Sequence, residues 1–295
     1  MIASALAGLR AVVRENVPLS GRTTLRIGGP ARYFVETHDA EALAALLRAC
    51  RAAGVPVLAL GKGSNLLVPD AGFPGVVFTL AGDFLAARVE TPEAVAGGGV
   101  SLMTLAVLTQ KAGLSGLENL SGIPSSLGGA VRINAGSYGS DLFDVLVAVD
   151  LVSGGGERRA VPASEIAHGY RWTALCDTGD IVTGARLRLA PKPPAEIASR
   201  MAEVAAKRKN ALPRQANAGS IFKNPPGLFA GKLLEECGLK GRRIGGAEIS
   251  PVHANVIVNL GGASAADVTS LMEEMKKSVK DRFGIELEAE IRLLG

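Results

Sequence analysis

Two glycine-rich runs restrict this chain more than any other feature. The first, Gly61-Lys62-Gly63-Ser64-Asn65-Leu66, follows an apolar segment, Val55 to Leu60, that reads as a strand. Glycines behind a strand let backbone N–H groups approach an anion closely, as phosphate-binding nests do. The spacing is neither a Walker loop nor GxGxxG, and read alone the run serves equally as a tight turn. The second runs from Ser121-Gly122-Ile123-Pro124 through Ser125, Ser126, Leu127, Gly128 and Gly129 to Ala130. Asn134-Ala135-Gly136-Ser137-Tyr138-Gly139 follows shortly after. Here small hydroxyls and glycines alternate over ten residues, where a β-turn needs about four. Two such runs can cradle both phosphates of a dinucleotide. Of 295 residues, 37 are glycine, about sixteen more than an average usage of about 7% gives.

The runs are set among helices and strands. Asp39 can cap a helix through Leu43, Leu46, Leu47 and Cys50 that stops at Gly54. Ser101 can cap another through Leu102, Leu105, Ala106 and Thr109, ending near Gly113. Ser264 and Asp267 resemble a capping box for a third, whose apolar face runs from Val268 to Phe283 before Gly284. The apolar stretch Ile2 to Val13, interrupted by Arg10, reads as a short amphipathic helix and not a signal peptide. Strands are expected at Gly75–Phe78, Leu146–Leu151, Ile181–Leu189 and Val256–Leu260. Ile285 to Leu293 alternates cleanly, with Glu286, Glu288, Glu290 and Arg292 on its polar face. Mixed elements of this kind make an α+β or α/β architecture. Ala190-Pro191-Lys192-Pro193-Pro194 can neither continue a strand nor sit inside a helix. It marks a boundary before a helix at Ala195 to Asn210, and a weaker boundary falls near Thr79 to Asp83.

The formal net charge is only +4 and the basic residues are spread out, apart from Lys207-Arg208-Lys209. No basic stripe interleaved with aromatics predicts nucleic-acid binding, and a mild positive field suits an anionic small substrate. Cys50, Cys176 and Cys237 are too widely spaced for a disulfide framework or a zinc site, and His38, His168 and His253 are equally isolated. No metal is expected, and a reducing, cytoplasmic setting fits. No stretch approaches the ~20 apolar residues of a membrane span.

Three places in the second half carry polar groups suited to chemistry: Tyr170-Arg171, the segment Asn217-Ala218-Gly219-Ser220-Ile221-Phe222-Lys223-Asn224-Pro225, and the pair Glu288 and Glu290. Each has a plain alternative: a surface cation, a turn hydroxyl, a solvated sheet face. A site needs a proton donor, an anion stabiliser and a carboxylate converging on one substrate.

At this point the residues resemble the UDP-N-acetylenolpyruvoylglucosamine reductase family, nearly end to end. Thr23-Thr24-Leu25-Arg26-Ile27-Gly28-Gly29-Pro30-Ala31 is similar to the family's opening motif, and Gly61 to Val68 to its first flavin loop. Gly116-Leu117-Glu118 with Ser121 to Pro124 and Asn134 to Gly136 is similar to its second. Ala218 to Pro225 and Leu287-Glu288-Ala289-Glu290-Ile291-Arg292 complete five motifs in the family's order.

The resemblance implies an α+β fold: a two-part FAD-binding unit of the vanillyl-alcohol-oxidase type and a C-terminal α+β substrate-binding domain. The expected domains are 1–80 and 81–194 for FAD and 195–295 for substrate. It also implies non-covalent FAD, reduction by NADPH, and hydride transfer from flavin N5 to C3 of an enolpyruvyl UDP-sugar on the route to peptidoglycan. By position, Arg171, Ser220 and Glu290 match the catalytic arginine, proton donor and glutamate, while Lys223 and Asn224 match substrate-side positions. Glu288 is passed over, because the family's carboxylate stands two before the arginine, here Arg292. The expected FAD contacts are Gly61, Lys62, Gly63, Ser64, Asn65, Leu66, Ser121, Gly122, Ile123, Pro124, Ser126, Gly129, Asn134, Ala135, Gly136 and Tyr138. Ser125 and Thr173 depart from the family's usual glycine and serine. Leu189 to Ile197 is too short for the tyrosine-bearing loop of one branch, so the chain resembles the loop-lacking branch. A monomer or weak oligomer is expected, with no nucleic-acid or membrane partner. The rival readings are an oxidase of the same fold, many of which link FAD through a histidine absent from both loops here, and a non-catalytic nucleotide-binding protein.

Overall fold

The computed structural model describes residues 2–9 and 11–294, so the reading of Arg10 lies outside the described residues. Its helices are α1 (Ile2–Ala7), α2 (Ala40–Ala52), α3 (Leu102–Lys111), α4 (Leu127–Arg132), α5 (Pro194–Ala211), α6 (Ala230–Glu236) and α7 (Ala265–Phe283). The expected caps are made. Asp39 accepts from Ala42 N–H, Ser101 from Thr104 N–H, and Ser264 and Asp267 form a reciprocal box. Gly284 ends α7 in the left-handed region at φ 70°.

The chain packs as two compact units, each discontinuous in sequence: Met1–Glu15, Tyr33–Gly61 and Pro74–Ala206 make the first, and Asn16–Arg32, Lys62–Phe73 and Lys207–Gly295 the second. This differs from the contiguous expectation of 1–80, 81–194 and 195–295. Leu25, Ile27 and Leu67 are buried in one core with residues from Ala218 to Ile291, so the segments that carry them go with the C-terminal part. The proline linker is not the division either. Ala190–Pro191 pairs with Leu114–Ser115 inside the first unit, and the division falls within α5.

The first unit holds two cores. One gathers Ile2, Leu6, Val35, Leu43, Leu46, Leu47, Val76 and Phe78. A four-stranded sheet, in the order Ala11–Pro18, Pro30–Thr37, Phe73–Leu80 and Val57–Ala59, passes through this region, and its last two strands are parallel. The stretch expected as one helix from Ile2 to Val13 therefore splits. α1 stops at Ala7 and Ala11 begins the edge strand. The other core lies on an antiparallel sheet in the order Arg158–Pro162, Leu146–Val152, Ile181–Arg188, Glu93–Gly97 and Ala87–Glu90. α4 packs against the strand Ile181–Arg188.

The second unit is an antiparallel sheet, Ala216–Asn217, Ile257–Asn259, Ala247–Ile249 and Arg243–Ile244, covered by α7 with α6 beside it. Asp70 ties the inserted segment to α7: its carboxylate accepts from Ala265 N–H at 2.8 Å and Ala266 N–H at 3.3 Å, at the end of the helix that favours negative charge. The strand expected from Ile285 to Leu293 is mostly unladdered. Only Arg292–Leu293 forms a strand, parallel to Leu66–Leu67, and Ala289 makes one bridge to Phe222. The alternation sorts burial only in part: Leu287 and Ile291 are buried and Glu286 and Glu288 exposed, but Leu293 is exposed as well, and Ala289 and Glu290 are both half-buried. Among the described residues, no helix is long and apolar enough to cross a membrane.

Candidate active site

In the first unit the two glycine runs meet at Ser126. A Cβ added to the exposed Gly61 would stand 2.5 Å from Ser126 Oγ, and one on Gly129 would stand 3.3 Å from it. Ser126 caps α4 by accepting from Gly129 N–H. The run is laid on a third glycine stretch that sequence reading passed over, Gly97-Gly98-Gly99. Gly128 N–H donates to Gly98 O at 2.8 Å, and a Cβ on Gly98 would fall 2.3 Å from Val182 O. Three consecutive glycines after an apolar stretch were the available signal. Gly61 and Gly129 are exposed, while Ser126 is buried and the Ser125 hydroxyl donates to Ser126 O, so it is main chain that faces solvent here, a surface that fits a dinucleotide diphosphate. Pro124 and Tyr138 are also exposed, whereas Ser121 and Ala135 are buried and Gly122 and Ile123 partly so. Ser121 Oγ donates to Glu118 O. Burial would raise the Glu118 carboxyl above its ordinary range, but the Ser115 hydroxyl and Gly116 N–H outweigh it and hold the carboxyl low.

Lys62 to Leu66 belong to the second unit. Lys62 is exposed, Ser64 and Asn65 half-buried, and Leu66 buried. Gly63 is buried at φ 61°, its carbonyl accepts from Thr24 N–H at 3.0 Å, and a Cβ there would lie 2.3 Å from Arg22 O. Its lack of a side chain thus serves the packing of Arg22–Thr24 as well as any ligand. Gly63→Val is expected to cost about 1–3 kcal/mol from the left-handed backbone alone. A lowered melting temperature should therefore accompany lost flavin. A variant of wild-type stability with full flavin content would contradict both roles.

Arg171 sits at the tip of the hairpin His168–Gly169 and Trp172–Thr173, with φ 55°. Such a backbone in a non-glycine residue is costly and points to function. Its guanidinium is held in place: Nη2 donates to Gly136 O at 2.6 Å, Nη1 lies 3.9 Å from Asp141 Oδ1, and the group stands 5.0 Å over the Tyr170 ring. Asn134, expected to touch cofactor, is buried and spends both amide atoms on this assembly. It donates to Gly169 O at 3.2 Å and accepts from Phe143 N–H at 3.1 Å. A Cβ on Gly136 would fall on the Asp141 carboxylate and 3.0 Å from the Arg171 guanidinium, so a side chain there would displace Asp141 from its place beside the arginine.

The segments that carry Ser220 and Glu290 are joined in the second unit. Ser220 follows Gly219, which is at φ 74° and whose N–H is held by Asn217 Oδ1 at 2.9 Å. Beyond it, Ile221 O accepts from Glu290 N–H at 2.8 Å, placing the glutamate beside the serine segment. Asn255, missed by sequence reading inside an apolar run, locks that segment. Its buried amide accepts from Phe222 N–H at 3.0 Å and donates to Phe222 O at 2.8 Å. Lys223 Nζ pairs with Glu288 at 2.6 Å, so the neighbouring glutamate is a partner for the lysine. Asn224, exposed, accepts from Ala230 N–H at 3.0 Å at the start of α6. Among the described residues there is no cluster of three or more His, Cys, Asp or Glu side chains that could hold a metal ion.

Residues 31–161 match the model of the FAD binding domain, and residues 212–294 that of the UDP-N-acetylenolpyruvoylglucosamine reductase C-terminal domain. Among curated proteins, the chain is 42% identical to UDP-N-acetylenolpyruvoylglucosamine reductase 2 of Symbiobacterium thermophilum, over 96% of this chain and 92% of that one. It is 44% identical to the UDP-N-acetylenolpyruvoylglucosamine reductase of Anaeromyxobacter sp., over 97% and 90%. Among solved structures, the UDP-N-acetylenolpyruvylglucosamine reductase of Thermus caldophilus superposes with a TM-score of 0.84 at 41% identity, covering 97% of this chain and 100% of that one.

Proposed function

Because the chain belongs to the UDP-N-acetylenolpyruvoylglucosamine reductase family of FAD-dependent oxidoreductases, we propose that it uses NADPH to reduce UDP-N-acetylglucosamine enolpyruvate to UDP-N-acetylmuramate. The reading rests on the seating of Ser220 beside the Glu290 segment by the Ile221–Glu290 hydrogen bond. FAD, held non-covalently by Gly61 to Ser64 and Leu66, by Ser121 to Pro124, Ser126 and Gly129, and by Asn134 to Gly136 and Tyr138, would supply when bound the hydride relay between nicotinamide and substrate. Lys223 and Asn224 stand on the substrate side.

Hydride arriving at C3 of the enolpyruvyl group leaves negative charge shared by C2 and the adjacent carboxylate. Arg171 is permanently charged and forked, and binds that carboxylate as the charge develops. The bonds that already hold its guanidinium mean that little reorganisation accompanies the reaction. Ser220 transfers its hydroxyl proton to C2, which is basic enough to take it when geometry is fixed. Glu290 polarises or orients the enol form. The enzyme works in the cytoplasm, as a monomer or weak oligomer, in peptidoglycan precursor synthesis.

The test is the visible spectrum under anaerobic conditions. The expected result is about one FAD per chain, released by denaturation, bleached by NADPH and restored by the enolpyruvyl UDP-sugar. A colourless protein that does not take up FAD, a flavin that stays on the denatured chain, or a bleached flavin untouched by that sugar would overturn the proposal.

A further inference from the structure

The glycine loop given to the cofactor also holds Glu290. Asn65 Nδ2 donates to Glu290 O at 3.0 Å, and Asn65 O accepts from Arg292 N–H at 3.1 Å. From there the chains run parallel, Leu66 opposite Arg292 and Leu67 opposite Leu293, and Leu294 N–H closes the ladder on Leu67 O at 3.1 Å. On its other side, Glu290 N–H donates to Ile221 O at 2.8 Å. Both peptide groups of Glu290 are thus fixed, one by the segment that carries Ser220 and one by the side chain of Asn65. The other bonds in this ladder run main chain to main chain and survive substitution; the Asn65 amide does not.

We infer that Asn65 is a positioning residue for Glu290, acting in the step that hands hydride and proton to the substrate. The catalytic part of this assignment rests on the function proposed above. A side chain spent on Glu290 O has its donor directed at the protein, so its loss reaches the carboxylate through the backbone. A small displacement of a group acting on reacting atoms is worth up to about 10²-fold in rate.

The experiment uses the FAD-loaded enzyme and the variants Asn65→Ala, Asn65→Asp and Asn65→Ser. In stopped flow, re-oxidation by the enolpyruvyl UDP-sugar is expected to slow about 10- to 100-fold in the alanine variant. It should slow further in the aspartate variant, where a carboxylate faces the Glu290 carbonyl. The serine variant restores a donor and should recover part of the rate. FAD per chain and the rate of NADPH bleaching should stay near wild type. A second readout needs no turnover: hydrogen exchange of the Glu290 and Arg292 amides should quicken about 5-fold in the alanine variant, the loss of one net hydrogen bond. Unchanged exchange in the alanine and aspartate variants overturns the inference, even where a variant is inactive. So does flavin content or bleaching falling in step with re-oxidation, which would make Asn65 a cofactor ligand. If wild type itself is not re-oxidised by that sugar, the proposed reaction fails, while exchange still decides whether Asn65 clamps Glu290.

Discussion

Replacing Ser220 by alanine should leave a yellow protein that NADPH bleaches at close to the normal rate and that the enolpyruvyl substrate then re-oxidises very slowly. The segment around the serine is held by Asn217 on Gly219 and by Asn255 on Phe222, and by Ile221 on Glu290. All of these bonds remain when one hydroxyl is removed, so the fold should stand. In the proposed mechanism what goes is the proton for C2, and positioned acid catalysis is worth roughly 10²- to 10⁴-fold. Ser220→Cys should regain part of the loss, because a thiol carries a transferable proton at similar reach. Stopped-flow traces with wild-type re-oxidation, or with bleaching as the failing step, would remove Ser220 from the proposed role.

Arg171→Lys is expected to cost about 10²- to 10³-fold in the same re-oxidation step, the usual effect of losing a preorganised donor to developing charge. Charge is kept, so a loss of this size isolates the fork. The guanidinium can donate to Gly136 O through one nitrogen while the rest of its planar edge stays in a fixed orientation. An ammonium offers no second edge held at a set angle. The left-handed backbone at position 171 is as costly for lysine as for arginine, so the melting temperature should barely move. Re-oxidation by the lysine variant at more than about a tenth of the wild-type rate would show that charge alone suffices, since removing such a donor typically costs at least about 10²-fold.

The elements that proved legible were those written in local hydrogen-bond grammar. Asp39, Ser101, Ser264 with Asp267, and Gly284 each satisfy orphan groups within a few residues of themselves, and such signals need no knowledge of the rest of the fold. The last strand shows the limit. Alternation from Ile285 to Leu293 picks out the buried Leu287 and Ile291 but not the exposed Leu293, and a ladder depends on a partner. The partner here, Leu66–Leu67, lies more than two hundred residues away and covers two positions. The unit boundaries were hidden for the same reason, since nothing local to Leu25, Ile27 and Leu67 says that their core is C-terminal.

At the candidate site, motifs named the segments to look at, while the structure decided what each side chain touches. Asn134, Lys223 and Asn224 all bond protein groups. Gly63 answers to Arg22 as much as to an anion. Asn255, with no motif of its own, locks the serine segment from the neighbouring strand region. Residue type states what a group can do; its partner is a property of the tertiary fold.

The interleaved order of the second unit sets a timetable for synthesis on the ribosome. Leu25, Ile27 and Leu67 emerge early, yet the surfaces they pack on begin at Ala218. At ~5–20 residues per second, Leu67 precedes Ala218 by about 8 to 30 s, during which the C-terminal part of its core is missing. The nascent chain up to Ala206 can complete the cores of the first unit while the stretches Asn16–Arg32 and Lys62–Phe73 wait. Those two waiting stretches, and not the glycine runs as a whole, are the places where a holdase would find something to hold.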